Sequence, residues 1–274
     1  MESASETIRK KRDLPLCLWL GLPLASIALR LVAPAILDAE GWKQQMTEEF
    51  GLVQNLTVVF LLPAVVAGVL IFLRRRQLPR GVGWVMLFFA LGALYFAGEE
   101  ASWGQHWIGY ETPEALKKIN TQDEFNVHNV HNIFNNIPRQ LMFVGTIGCI
   151  VIPLWLAAWP WLSTHFEWLN KRFPRLRPAL QQVSDKLQSP QSAWYWLAPN
   201  KRLMLISLMV IFLRLPKRLE DVLGAPPSGS YTDMAFFQGS GEFKEYCYAL
   251  VIMFYILSVY LRMRSRKPAP ETDS

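Results

Sequence analysis

Six long apolar stretches alternate with polar ones along this 274-residue chain, at residues 14–37, 51–73, 81–97, 140–162, 201–218 and 242–262. A helix rises 1.5 Å per residue, so each stretch covers, or nearly covers, the ~30 Å hydrocarbon core of a bilayer. The pattern predicts an all-α fold: a polytopic membrane helical bundle of about six transmembrane helices. The fifth stretch is the weakest, because its unbroken apolar run covers only 203–213 and Arg214 follows. Trp194, Tyr195 and Trp196 just ahead of it read as an interfacial aromatic belt. The first stretch is too long, and too poorly matched to a small-residue cleavage site, for a signal peptide, and is expected to be retained.

Lysine and arginine set the expected orientation. Arg9, Lys10, Lys11 and Arg12 precede the first stretch, and Arg74, Arg75, Arg76 and Arg80 separate the second from the third. Lys171, Arg172, Arg175, Arg177 and Lys186 separate the fourth from the fifth, and Arg262, Arg264, Arg266 and Lys267 close the sixth. With six spans these runs share one side, so both termini are expected to be cytoplasmic. The opposite loops, 38–50, 102–139 and 219–241, are richer in acids, although Lys43, Lys117, Lys118, Lys217 and Arg218 run against the trend. The organisation read from this is a tail (1–13), one membrane domain (14–262) and a second tail (263–274). The domain includes a structured outer loop with short helices (98–139) and a cytoplasmic amphipathic connection (163–200).

Composition narrows the class further. Hydrophobic residues make up 51% of the chain and charged ones only 18%, which fits a membrane protein rather than a soluble one. The net charge of +6 is dispersed between apolar stretches instead of forming one basic face, so no nucleic-acid partner is expected. Cys17, Cys149 and Cys247 all lie inside apolar stretches, which argues against a disulfide framework and against a thiolate metal site.

The candidate chemistry gathers where the third stretch meets the outer loop. Glu99, Glu100 and His106 occupy its start, and Glu124, His128 and His131 its later part. Ionisable groups at the mouth of a membrane helix are costly, and they usually pair, bind an ion or do chemistry. Taken as a helix, the later part places Glu124, His128, His131 and Asn135 at spacings of four, three and four, on one face. If the third span continues helically, Glu99 and His106 also share a face, with Trp103 between them. Glu99, His106, His128 and His131 are then the expected metal ligands, with Glu100 or Glu124 as general base. Imidazole and carboxylate together suit a divalent metal, zinc first, with iron or manganese as alternatives.

Arg30, Arg139 and Arg214 fall at a similar depth in the outer half of the membrane, and Glu242 and Glu245 open the sixth stretch. The three arginines are expected to attract an anionic headgroup, with Ser102 and Gln105 completing the substrate-binding set. Competing readings remain open. Thr121-x-x-Glu124 also fits a capping box, Arg30 and Arg214 can snorkel to headgroups, and Ser102 has the residue type, though not the surrounding turn, of a serine nucleophile.

The residues Gly98-Glu99-Glu100-x-Ser102-Trp103-Gly104-Gln105, then Glu111-Thr112-Pro113, Asn120-x-Gln122-x-Glu124 and Asn126-x-His128-Asn129, resemble a family of bacterial multi-pass membrane proteins of uncharacterised activity. The resemblance covers residues 98–136 and implies residence in the bacterial inner membrane and a role for this loop, which the charge pattern places on the periplasmic side. It implies no reaction. The chain lacks the seven-span layout and the late paired-histidine motif of membrane zinc hydrolases resembling alkaline ceramidases. The residues themselves point first to a membrane-embedded, metal-dependent hydrolase or headgroup transferase acting on a lipid or lipid-linked substrate at the outer face. An ion- or proton-coupled transporter or sensor, or a non-catalytic scaffold, would use the same cluster differently.

Overall fold

The computed structural model describes residues 13–46, 51–119, 125–126, 132–165, 172, 175–224, 230, 237 and 240–265. Among the described residues the chain is helical, and six spans are long and apolar enough to cross a membrane. They are α1 (Cys17–Ile36), α3 (Leu52–Leu73), α4 (Val82–Glu100), α7 (Asn132–His165), a segment whose main helix is α10 (Met204–Leu223), and α11 (Ser240–Arg264). Shorter helices connect them: α2 (Ala39–Met46), α5 (Gln105–Ile108), α6 (Glu114–Lys117), α8 (Leu176–Gln188) and α9 (Ala193–Leu197).

Each apolar stretch of the sequence coincides with one of these spans, and several run further than the apolar run alone suggests, the fourth from Asn132 to His165. The third continues through Glu100, so its last turn carries two carboxylates. The fifth continues past Arg214 and Pro216 to Leu223. Arg214 does not end the helix because its neighbours accept it: Nη1 donates to the Tyr248 hydroxyl at 2.7 Å, and the guanidinium lies 4.3 Å from the centre of the Phe143 ring.

The centre of the bundle is α3, packed along its length between α4 and α11. Lipid tails are as apolar as leucine, so helices in a bilayer gain little from hydrophobicity and associate through close packing. The α3–α4 seam is accordingly lined by small buried residues, Ala64, Ala67 and Gly68 against Ala90, Ala93 and Ala97. A Cβ on Gly68 would fall 2.7 Å from that of Ala90 and 2.9 Å from the Met86 carbonyl oxygen. At the periphery Leu62, Phe88, Leu141 and Val151 are exposed, as lipid contact requires.

The two ends of the bundle are built differently. At one end Arg262 of α11 holds the C-terminus of α9. Its Nη1 donates to the Tyr195 carbonyl at 2.7 Å, and its Nη2 to those of Trp196 and Ala198 at 3.1 and 3.2 Å. Arg202 pairs there with Asp13. The other end carries Glu99, Glu100 and the segment that follows, together with the start of α11 and the last turns of α10.

Candidate functional site

The residues after Glu100 turn the chain sharply. Ser102 and Trp103 adopt φ of 42° and 52°, and Gly104 follows at 89°. Two consecutive non-glycine residues in the left-handed region are strained, and such strain persists only where the surroundings fix it. Here the surroundings do. The Tyr110 hydroxyl donates to the Ser102 and Trp103 carbonyls at 3.2 Å each, and the Asn126 amide donates to Ser102 Oγ at 3.4 Å. Gln105 donates to Thr112 Oγ1 at 2.8 Å and accepts the Phe125 N–H at 2.6 Å.

This turn corrects one expectation. Glu99 and His106 do not lie two turns apart on one continuous helix, because the left-handed residues re-aim the chain before α5 begins. The backbone of His106 lies in α5; its side chain, and Glu124, His128 and His131, fall outside the described residues. Ser102 is 1% exposed. Ser102 and Gln105, expected at the substrate, are bonded in the structure to Tyr110, Thr112, Phe125 and Asn126 and help to hold the turn.

Trp103 folds back on α4. Its Nε1 donates to Glu99 Oε1 at 2.8 Å, and its ring lies so close to Gly98 that a Cβ there would meet three ring atoms at 2.9 Å. The Gly98-Glu99…Trp103-Gly104 spacing therefore has a mechanical basis: a glycine for the ring to lie on, a carboxylate for the indole, and a glycine where φ is positive. Gly98→Val is expected to displace Trp103 and lower stability by about 1–3 kcal/mol, read as a fall in thermal unfolding temperature in detergent. An unchanged unfolding temperature would mean that the indole is not held there.

Adjacent in sequence, Glu99 and Glu100 face different neighbours. Glu99 takes the indole, whereas Glu100 meets Glu242 and Glu245 at the start of α11. One carboxylate oxygen from each of these three lies within 4.8 Å of the others, so the group can hold a metal ion. Glu100 is 6% exposed, and its Oε2 has no hydrogen-bond partner. It also sits at the C-terminus of α4, where the helix dipole disfavours negative charge, while Glu242 and Glu245 sit at the favourable N-terminus of α11. Arg139, near the start of α7, forms an ion pair with Glu245.

Beyond that ion pair a cavity of about 310 Å³ opens between α7, α10 and α11. Its charged lining is Arg139, Arg214, Lys217, Arg218 and Lys244 against Asp221 and Glu245, with Tyr248 and Gln140 among the polar remainder. Two of the three arginines expected at a substrate, Arg139 and Arg214, thus share one pocket. Arg30 is not part of its lining. It is 2% exposed, with its guanidinium 5.0 Å from the Trp42 ring centre and 5.4 Å from that of Phe243, so burial between rings replaces snorkelling.

The sequence reading set Glu242 and Glu245 beside the arginines at one depth but gave them no role in the site, and it did not name Lys244. The available signal was the i, i+3 spacing of the two glutamates, which puts both on one face at a helix start. Lys217 and Arg218, two of the five residues that run against the charge trend, line the cavity. Compared with known protein families, with curated proteins and with solved structures, the chain matches none.

Proposed function

We propose that this membrane-helical protein is a metal-dependent enzyme, a hydrolase or headgroup transferase, acting on a lipid or lipid-linked substrate at the membrane surface. The observation that carries the reading is the convergence of Glu100, Glu242 and Glu245 directly beside a basic cavity. A divalent metal bound by the three carboxylates would supply an activated water and a Lewis acid. Glu100 then serves as a ligand rather than as the base, and Glu245 is oriented by Arg139. An oxygen-only set favours magnesium or manganese; zinc or iron becomes the better match if His106, His128 or His131 completes the coordination. Glu124 is left as the candidate base. The charge pattern of the loops and the resemblance of residues 98–136 support an inner-membrane location with the site facing the periplasm.

Metal content by mass spectrometry on detergent-purified protein tests this. About one equivalent of divalent metal is expected in the wild type and none in a Glu242→Gln/Glu245→Gln variant that stays monodisperse. Loss of metal in a His128→Ala/His131→Ala variant as well would add the histidines to the ligand set. No metal in the wild type, even after reloading with magnesium, manganese or zinc, would overturn the metalloenzyme reading.

A further inference from the structure

We infer that the cavity beside the glutamates is a subsite for a phosphate group, carried by a lipid headgroup or as the free ion; this deepens the proposed function and rests on it for the role of the site. The charges lead to it. Arg139 is committed to Glu245, and Lys217 lies 3.7 Å from Asp221. Among the described residues no carboxylate forms an ion pair with Arg214, Arg218 or Lys244, and these three cations line one cavity. A phosphate monoester carries about −1.5 to −2 charges at neutral pH, which offsets most of that surplus; a carboxylate or a neutral sugar would leave it largely uncompensated.

Geometry favours the same ligand. Arg214 is fixed by the Tyr248 hydroxyl at 2.7 Å and by the Phe143 ring, so its planar fork is held ready for two oxygens. Lys244 adds a mobile point charge from a different helix, α11. At about 310 Å³ the cavity suits one compact headgroup and excludes a polymer. Ile137, Leu141 and Leu215 are exposed and neighbour lining residues in sequence, so an acyl chain has apolar surface to lie on beside the charges. Glu100, Glu242 and Glu245 then adjoin the phosphate through the shared residue Glu245.

The test is a titration of the full chain in detergent, by calorimetry, with inorganic phosphate, dioctanoyl phosphatidic acid and, as an uncharged control, dioctanoylglycerol. Saturable binding of the phosphatidic acid, absent for the diacylglycerol and weakened at least tenfold by Arg218→Gln and by Lys244→Gln, is expected. Equal binding of inorganic phosphate would make the free ion the ligand; binding of the lipid alone would make it a headgroup. Arg218 and Lys244 are chosen because neither supports the fold through a partner, unlike Arg214. No binding of either phosphate compound, or binding unchanged by both substitutions, overturns the subsite. Glu100→Gln separates the two proposals. Metal lost with phosphate binding retained supports both, whereas metal present in the wild type without phosphate binding removes only the subsite. Phosphate binding in a protein that never holds metal removes only the metal centre.

Discussion

Glu100→Gln is expected to melt higher than the wild type when metal is absent, and to lose any stabilisation by divalent cations. The reason lies in where the carboxylate sits. It is almost fully buried, one oxygen has no hydrogen-bond partner, two further carboxylates lie within 4.8 Å, and it occupies the unfavourable end of α4. Burying a charged group without donors costs stability. The amide has the same shape, carries no charge and brings an N–H₂ that can donate to Glu242 or Glu245. A gain of about 1–3 kcal/mol is expected, which at about 2–4 °C per kcal/mol for a chain of this size is a rise of several degrees. Wild-type protein with a divalent cation at about 100 times its dissociation constant gains about 2.7 kcal/mol, and the variant should gain none. That cation-induced shift should shrink as pH falls, because protons compete for the same oxygens. A variant that melts lower and keeps its metal would make Glu100 a structural residue. A site that is destabilising when empty and stabilising when filled is the signature of a group retained for function.

The spans could be read from sequence because the bilayer imposes a length and a composition on each of them, whatever the partner helix. The ends could not be read so well. Hydropathy placed the third span's end before Glu99, since it has no means of knowing that Trp103 folds back to cover that carboxylate. It ended the fifth span at Arg218 and rated it the weakest, since a single arginine at 214 looks like a break until Tyr248 and Phe143 are seen to hold it. The glutamate cluster was only half visible. Glu100 attracted attention through its neighbour Glu99, but its actual partners lie more than a hundred residues away on α11, and nothing local to either segment announces the pairing. The left-handed turn at Ser102 and Trp103 was hidden for a different reason: neither residue type prefers that conformation, and only Gly104 hinted at it. The histidine-bearing half of the expected site lies outside the described residues. The pattern Glu124, His128 and His131 therefore stands where the sequence left it, as a candidate set of further ligands.

Arg262→Met is expected to lower stability by about 3 kcal/mol, because one side chain supplies most of the side-chain donors at the end of a short helix. The last carbonyls of any helix lack intrahelical donors, and α9 is only five residues long, so most of its carbonyls are in that position. Arg262 satisfies three carbonyls at this end, those of Tyr195, Trp196 and Ala198, and the Tyr255 hydroxyl satisfies Leu197 at 2.8 Å. Its Nε additionally donates to the Ser258 carbonyl at 3.3 Å, which holds the fork in position on α11. Charged hydrogen bonds of this kind contribute about 1.5–3 kcal/mol, and buried carbonyls left without donors add to the loss. Lysine keeps the charge but cannot reach several carbonyls in one plane, so Arg262→Lys should fall between methionine and wild type. Tyr255→Phe, which removes one neutral donor, should cost about 1 kcal/mol. Thermal unfolding in detergent gives the ranking, and limited proteolysis of the connection between α8 and α9 gives its location. Equal stability of the methionine and wild-type proteins would show that Arg262 is only one of the basic residues flanking the span. From sequence alone Arg262 counted as that kind of charge, an indicator of which side of the membrane the terminus occupies. In the structure the same charge is spent on α9, so positive residues at span ends can report topology and build the fold at once.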